Sequence, residues 1–286
     1  MDEIITLCCA TQNNIDKVKF LVNRCLDYVD KMVFVDGFSV DGTKEWLEER
    51  SPRITVVQRE WDDSFANQYN RFIQEINVGW MLICDDDEFP GIEMLRSLRS
   101  IVEGADFGRK YDIVEFRSND IETDSNNVIV YEKGPGNHYR QMLHRYSPGM
   151  KYIIDLHQHL IGHKYGRGIR RQEIYYHVKS DRDMYRNACR NWWIDGVWLS
   201  GASSGYRPQE WQELRDVVLS AYPEVRVFND FNAIMVKGNM KEEVKDHLYK
   251  IKDIKDEPPQ RFFNELRAYW KYYFEKLHPE EQRSDA

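Results

Sequence analysis

The sequence predicts an α/β fold: a Rossmann-like, mostly parallel sheet, mixed strands after it, and a helical C-terminal annex. Three observations point there. Continuous apolar runs recur early in the chain, as expected of strands covered on both faces. Stretches of helical period separate those runs, with short, turn-rich connections between them. From position 180 onward, helical patterns replace strand patterns.

The elements follow in order. "EIITLCCA" is the first buried strand, and "NIDKVKFLVNRCLDYVD" is a helix with Ile15, Val18, Val22, Cys25 and Val29 on one face. Asn13 or Asn14 offers it a cap. "KMVFVD" is the second strand, ending at Asp36; "GFSVDG" carries turn chemistry and "TKEWLEER" is a short helix. "RITVVQ" is a third strand, "SFANQYNRFIQEIN" a helix capped by Ser64, and "WMLICD" a fourth strand. Such alternation implies right-handed crossovers and helices on both faces of the sheet. After the helix "IEMLRSLRSIVEG" come "DIVEFRSND", "NVIVYE", "YRQMLHRY", "KYIIDLHQHLIG" and "QEIYYHV", strand-like stretches without long helices between them. They predict mixed or antiparallel pairing that extends the parallel sheet. The expected division is 1–179 for the α/β domain, with halves of about 1–105 and 106–179, and 180–286 for the helical extension.

Bulk composition narrows the function classes. Lys and Arg total 40 against 48 Asp and Glu, a formal charge of −8, which argues against broad binding to nucleic acid. No apolar run approaches the roughly 20 residues that span a bilayer. The N-terminal "MDEIITLCCATQNN" is acidic where a secretory signal is basic. The five cysteines show no C-x-x-C spacing, as expected of reduced, buried thiols in a cytoplasmic protein.

In an open parallel sheet, ligands bind beyond the carboxyl ends of the strands. There the chain places "ATQNN", "DGFSVDG" and "DDDEF". Three consecutive aspartates and a glutamate repel one another. A divalent cation, Mn²⁺ or Mg²⁺, relieves that repulsion, because such ions take oxygen ligands and keep positions open for substrate phosphates. The alternative is an acidic turn that also charges the N-terminus of the following helix.

Three motifs in order add to this. "FVDGFSVDGT" resembles the Val-Val-Asp-Ser-Gly-Ser-Thr-Asp-Gly-Thr type of strand end found in family 2 glycosyltransferases. "FANQYN" is similar to that family's Phe-Ala-x-x-Arg-Asn helix, and "GWMLICDDDE" to its strand ending in Asp-x-Asp-Glu. The resemblance covers roughly the first ninety residues and implies a GT-A fold. By position it implies that Thr11 lines the base pocket and that Asp36 accepts a hydrogen bond from a pyrimidine N–H. Asp41 mainly holds its turn. Asn70 steadies the pocket. Asp85 approaches the ribose or the metal, Asp86 joins it in binding the nucleotide sugar, and Asp87 coordinates the metal. Tyr69 stands where the family has arginine, and Arg71 points elsewhere on the helix.

Further on, "YRQMLHRY", "LHQHL" and "IYYHV" follow the order of lipopolysaccharide-core-type members, which carry an Arg-rich strand, His-Glu, and a strand ending in His. Gln158 replaces that glutamate. Asp155 is the substitute general base, with His157 beside it, and His177 the metal ligand from outside the acidic motif. Read as one strand, "KYIIDLHQHLIG" puts Asp155, His157 and His159 on one face. Arg140 and Arg145 are set to meet phosphates or an acidic acceptor. His157, His159 and His163 give only a weak zinc signal without cysteine partners.

The implied reaction is inverting transfer of a sugar from a nucleoside diphosphate donor, UDP-linked by preference, to a hydroxyl on a glycan or lipid-linked glycan. Three alternatives stand beside it: glycosylation of a modified base in nucleic acid, a degenerate sugar-nucleotide-binding protein, and a nucleotidyltransferase. For the last, "ATQNNID" lacks the usual glycine and arginine. The helix "QRFFNELRAYWKYYFEKL" has a wide aromatic face that either packs on the domain or docks peripherally on the inner face of a membrane.

Overall fold

The computed structural model describes residues 3–123, 129–155, 158–180, 190, 193, 208–231 and 241. The chain forms two compact units, Met1–Ser180 and Asp181–Ala286. The first contains β1 (Ile5–Thr11), α1 (Ile15–Cys25), β2 (Lys31–Asp36), α2 (Thr43–Arg50), β3 (Ile54–Gln58), α3 (Phe65–Ile73), β4 (Trp80–Ile83), β5 (Glu88–Pro90) and α4 (Ile92–Glu103). It continues through β6 (Ile113–Thr123), β7 (Ile129–Arg145), β8 (Lys151–Ile153), β9 (His159–Ile161) and β10 (Gly168–Ser180).

Eight strands form one sheet in the order β3-β2-β1-β4-β7-β6-β10-β5, and β8 pairs with β9 apart from it. The first four run parallel. β7 runs antiparallel to both neighbours, β6 and β10 are parallel, and β5 is antiparallel to β10. The parallel half with its mixed extension is the α/β sheet that the apolar runs predict.

Neighbouring strand residues face opposite ways, so each central strand feeds two cores. On one side Ile5, Leu7 and Cys9 pack with Val18, Leu21 and Val22 of α1 and Met94, Leu95 and Leu98 of α4. On the other, Cys8, Val33, Met81 and Ile83 pack with Ala66, Tyr69 and Phe72 of α3. Burying each large aliphatic side chain contributes about 1.5–3 kcal/mol before entropy is counted. The pattern explains why these strands are apolar throughout rather than alternating. Cys8, Cys9, Cys25 and Cys84 are free, buried thiols. Ser64 caps α3 as expected, accepting from the Asn67 N–H at 3.1 Å.

Three expectations need correction. The described part of "NVIVYE", from Ile129, and "YRQMLHRY" up to Arg145 are not separate strands but parts of the single 17-residue β7. Its register against β6 shifts several times around Gly134–Gly136, which absorbs the interruption. "KYIIDLHQHLIG" is not one strand. It is a reversal in which Ile153 pairs with His159, and Ile154 turns the chain at φ +70°. Asp155 therefore lies in the reversal rather than within a strand with His159, and His157 lies outside the described residues. The acidic segment also contributes β5, three residues too short to show a period.

In the second unit, α5 (written here for Pro208–Ala221) contributes Val218 and Ala221 to a buried group with Tyr222, Val225 and Phe228. Trp193 and Phe231 stack there at 4.8 Å. The stretch from near Pro259, expected to form an aromatic helix, lies outside the described residues. No helix among the described residues is long and apolar enough to cross a membrane.

Candidate functional site

The parallel strands end together, and that sets the site. Thr11 at the end of β1 lies in register with Asp36 at the end of β2. Asp36 is fully buried, and its carboxylate accepts from the Ser39 N–H at 3.1 Å and from Gln58 Nε2 at 3.1 Å. A carboxylate accepts about four hydrogen bonds, so Asp36 keeps acceptor capacity beyond these.

The loop after β2 is laced to the loop after β1. Gln12 Nε2 donates to the Gly37 carbonyl at 2.7 Å, the Asn13 N–H to Ser39 Oγ at 2.8 Å, and the Val40 N–H to Asn13 Oδ1 at 2.8 Å. Asp41 accepts from the Thr43 hydroxyl at 2.6 Å and from the Ile15 N–H at 2.9 Å. It thereby holds its own turn and also serves the N-terminus of α1, where Asn14 makes no capping bond of its own.

Beyond β4 the acidic residues divide into two groups. Asp85 faces inward. The Tyr69 hydroxyl donates to its Oδ1, and Arg140 Nη1 donates to its Oδ2 at 3.1 Å. Arg140 is also ion-paired with Glu88, which is only 2% exposed and accepts the Asp85 N–H at 3.0 Å. Burial opposes charge on Arg140, but the Asp85 carboxylate outweighs it and keeps the guanidinium ionised. Each oxygen of Asp85 thus has one protein donor, and Arg140 is held between the carboxylates of Asp85 and Glu88. This placement accounts for Tyr69: a cation arrives from β7 where the family motif carries one on the helix. Arg71 instead pairs with Glu75 at 2.5 Å on the exposed side. Glu88 was not singled out from sequence, and the signal for it was the fourth acid of "DDDE".

Asp86 and Asp87 form the second group, toward β1 and β10. The Thr11 hydroxyl donates to Asp86 Oδ2 at 2.8 Å. Burial, then the Asp87 charge, push the Asp86 carboxyl up to about 7 despite that bond and the nearby Lys17. Asp87 goes the other way. Burial would raise it, but the His177 imidazole, with Lys17 and Lys179, brings it down to about 2. His177 Nε2 stands 3.5 Å from Asp87 Oδ2, and its Nδ1 3.6 Å from Asp120 Oδ1. The strand pairing explains the meeting: His177 of β10 lies opposite Glu88 of β5 and Asp120 of β6, and the Val178 N–H donates to the Asp87 carbonyl at 2.8 Å.

This donor set fits a divalent ion held by few protein ligands. An ionised carboxylate and an imidazole lie close enough to share one cation, and hard ions accept one or two carboxylates with the remainder from water and phosphate. No cluster of three or more metal-binding side chains occurs among the described residues. His163 pairs with buried His144 at 3.0 Å rather than joining other histidines in a zinc set.

Asp155 is exposed, and its carbonyl accepts from the Phe65 N–H at 3.0 Å. That bond sets it at the start of α3, beyond the carboxyl end of β3, on the same sheet edge. Asn70 acts at one remove: its amide exchanges two hydrogen bonds with the Tyr152 backbone, at 2.7 and 3.0 Å, and so anchors β8 to α3. His157 lies outside the described residues.

Residues 6–127 match the family model described as Glycosyl transferase family 2. No curated protein matches the sequence. Among solved structures, S. aureus TarS 1-349 in complex with UDP-GlcNAc is similar at 12% identity and TM-score 0.46, covering 98% of this chain and 92% of that one. Glucosyl-3-phosphoglycerate synthase from Mycobacterium tuberculosis, solved with Mn²⁺, UDP and glucosyl-3-phosphoglycerate, is 14% identical with a TM-score of 0.33. That match covers 41% of this chain and 44% of the other. Mannosyl-3-phosphoglycerate synthase from Rubrobacter xylanophilus gives 14% and 0.33, covering 41% and 40%.

Proposed function

We propose that this chain, whose residues 6–127 belong to glycosyl transferase family 2, transfers a sugar from a nucleoside diphosphate donor to an acceptor hydroxyl, with a divalent ion at Asp87 and His177. The observation that carries the reading is the convergence of Thr11, Asp36, Asp86 and Asp87 on one carboxyl edge, inside the matched segment.

Each group has a task there. Asp36 has the acceptor capacity to take an N–H from the base edge. Asp87 stays ionised beside His177, and the two would hold Mn²⁺ or Mg²⁺. Such an ion, when bound, neutralises charge that builds on a departing diphosphate. Asp85 meets Tyr69 and Arg140, and those contacts fix the backbone from which Asp86 and Asp87 project. Asp155, exposed and bonded through its carbonyl to the start of α3, would take the proton of the attacking hydroxyl. Attack in a single displacement inverts the anomeric carbon. UDP is the favoured donor nucleotide because a carboxylate suits a pyrimidine N–H, and a glycan or lipid-linked glycan is the favoured acceptor.

A thermal-shift series with UDP, CDP, GDP and ADP, each with and without Mn²⁺, tests this. One nucleotide should raise the melting temperature only when Mn²⁺ is present, and Asp87→Ala should abolish that rise. Asp155→Asn should keep the rise while lowering turnover by about 10²-fold or more. Stabilisation by none of the four would remove the donor assignment. Binding without turnover of any nucleotide sugar would favour the non-catalytic alternative.

A further inference from the structure

Phe38 is the second residue after Asp36, in the loop that joins β2 to α2. Its backbone is left-handed, φ +59°, a region where the side chain of an L-residue crowds the following carbonyl. The family motif has glycine at this step, where the same conformation carries no such penalty. The ring is also 54% exposed, and among the described residues no other aromatic ring or cation packs on it. Strain and exposure together are two costs that no ring or cation contact among the described residues offsets.

The loop cannot relax out of this conformation without losing bonds on both sides of Phe38. Before it, Gln12 holds the Gly37 carbonyl. After it, the Ser39 N–H is held by Asp36, the Ser39 hydroxyl by the Asn13 N–H, and the Val40 N–H by the Asn13 side chain. A strained residue over-determined by its surroundings is the pattern found where a side chain serves a ligand. The neighbour that fixes it, Asp36, is the carboxylate assigned to the base edge.

We propose that Phe38 is a binding residue that lays its ring against the nucleobase of the donor, while Asp36 reads the edge of the same base. This rests on the nucleotide-sugar reading above. Stacking on an aromatic face is tolerant of base identity. Phe38 therefore sets affinity for a nucleotide over a base-free sugar phosphate, and Asp36 sets which base is taken.

Calorimetric titration of the full chain with UDP, CDP, GDP and ADP, each with Mn²⁺, tests it on wild type, Phe38→Gly and Phe38→Tyr. For the nucleotide that wild type binds best, Phe38→Gly should bind about tenfold more weakly, and Phe38→Tyr within about twofold of wild type. Without nucleotide, Phe38→Gly should melt at or above the wild-type temperature, because glycine relieves the left-handed strain. A packing role predicts the reverse: a lowered melting point would overturn the proposal, as would unchanged affinity in Phe38→Gly or an equal loss in Phe38→Tyr. If wild type binds none of the four, the donor reading falls and this inference with it. If wild type binds and Phe38→Gly binds equally, only this inference falls.

Discussion

Asp86 and Asp87 are adjacent carboxylates that the fold drives apart in acidity, one up to about 7 and one down to about 2. The cause is local. Asp87 has His177 at 3.5 Å, whereas Asp86 has a neutral hydroxyl and its charged neighbour. The difference carries a sign. Asp86 is raised in the folded chain, so between about pH 4 and pH 7 the folded state holds a proton that the unfolded state has released. Its contribution to stability is complete below pH 4 and is lost as pH rises through 7. The amide introduced by Asp86→Asn stays neutral throughout, and its oxygen still accepts from Thr11. In chelator-treated protein, the melting temperature of Asp86→Asn relative to wild type should therefore climb from about pH 4 to pH 7 and level off above it. His144, which burial brings down to about 3, acts on both proteins alike over that range and cancels from the comparison. A gap that stays constant with pH would show that Asp86 is ionised in the folded chain well below neutrality.

Elements rather than single residues explain why the sheet edge assembles, and Gly79 shows how tightly. It enters β4 at φ +89°, and a Cβ there would lie 2.3 Å from the Ile4 carbonyl oxygen beside β1. Gly134, in β7, also has a positive φ, +73°, but open space around it. Replacing Gly134 with alanine should cost only the backbone penalty, about 1 kcal/mol. Gly79→Ala adds displacement of β4 against β1 and should cost roughly 2 kcal/mol or more. Chemical denaturation of the two variants compares them, and equal losses would mean that β4 has room to move. The same contrast governs what could be read from sequence. β1, β2, β3 and β4 were legible because burial on both faces leaves an apolar run, and Ser64 because a cap has local chemistry. β5 was not, since three residues in an acidic segment carry no period. Nor was the turn between β8 and β9, which rests on Ile154 at φ +70° without glycine or proline to announce it. Asp36, Asp87 and His177 stood out as polar residues at strand ends, but the Tyr69–Asp85–Arg140–Glu88 cluster depends on strand order across the sheet, which no local pattern encodes.

At the scale of the whole molecule, the proposed donor site and both cores that support it fall within one unit. The buried groups on the two faces of the sheet run from Ile5 to Tyr175, and the site groups run from Thr11 to His177. The chain changes unit after Ser180. An eight-stranded sheet with helices on its faces and a core of this extent is within the ordinary size of an independently folding domain. A fragment of residues 1–180 should consequently fold, melt cooperatively, and bind the preferred nucleotide with Mn²⁺ within about threefold of the full chain, a difference well under 1.4 kcal/mol. Transfer to acceptor is a separate matter, because acceptor recognition need not share those cores. Circular dichroism melts and calorimetry on the fragment check the first part, and turnover measured beside the full chain checks the second. A fragment that folds but binds nucleotide tenfold more weakly would place part of the donor site beyond Ser180. An intact affinity with lost turnover would assign the second unit to the acceptor side of the reaction.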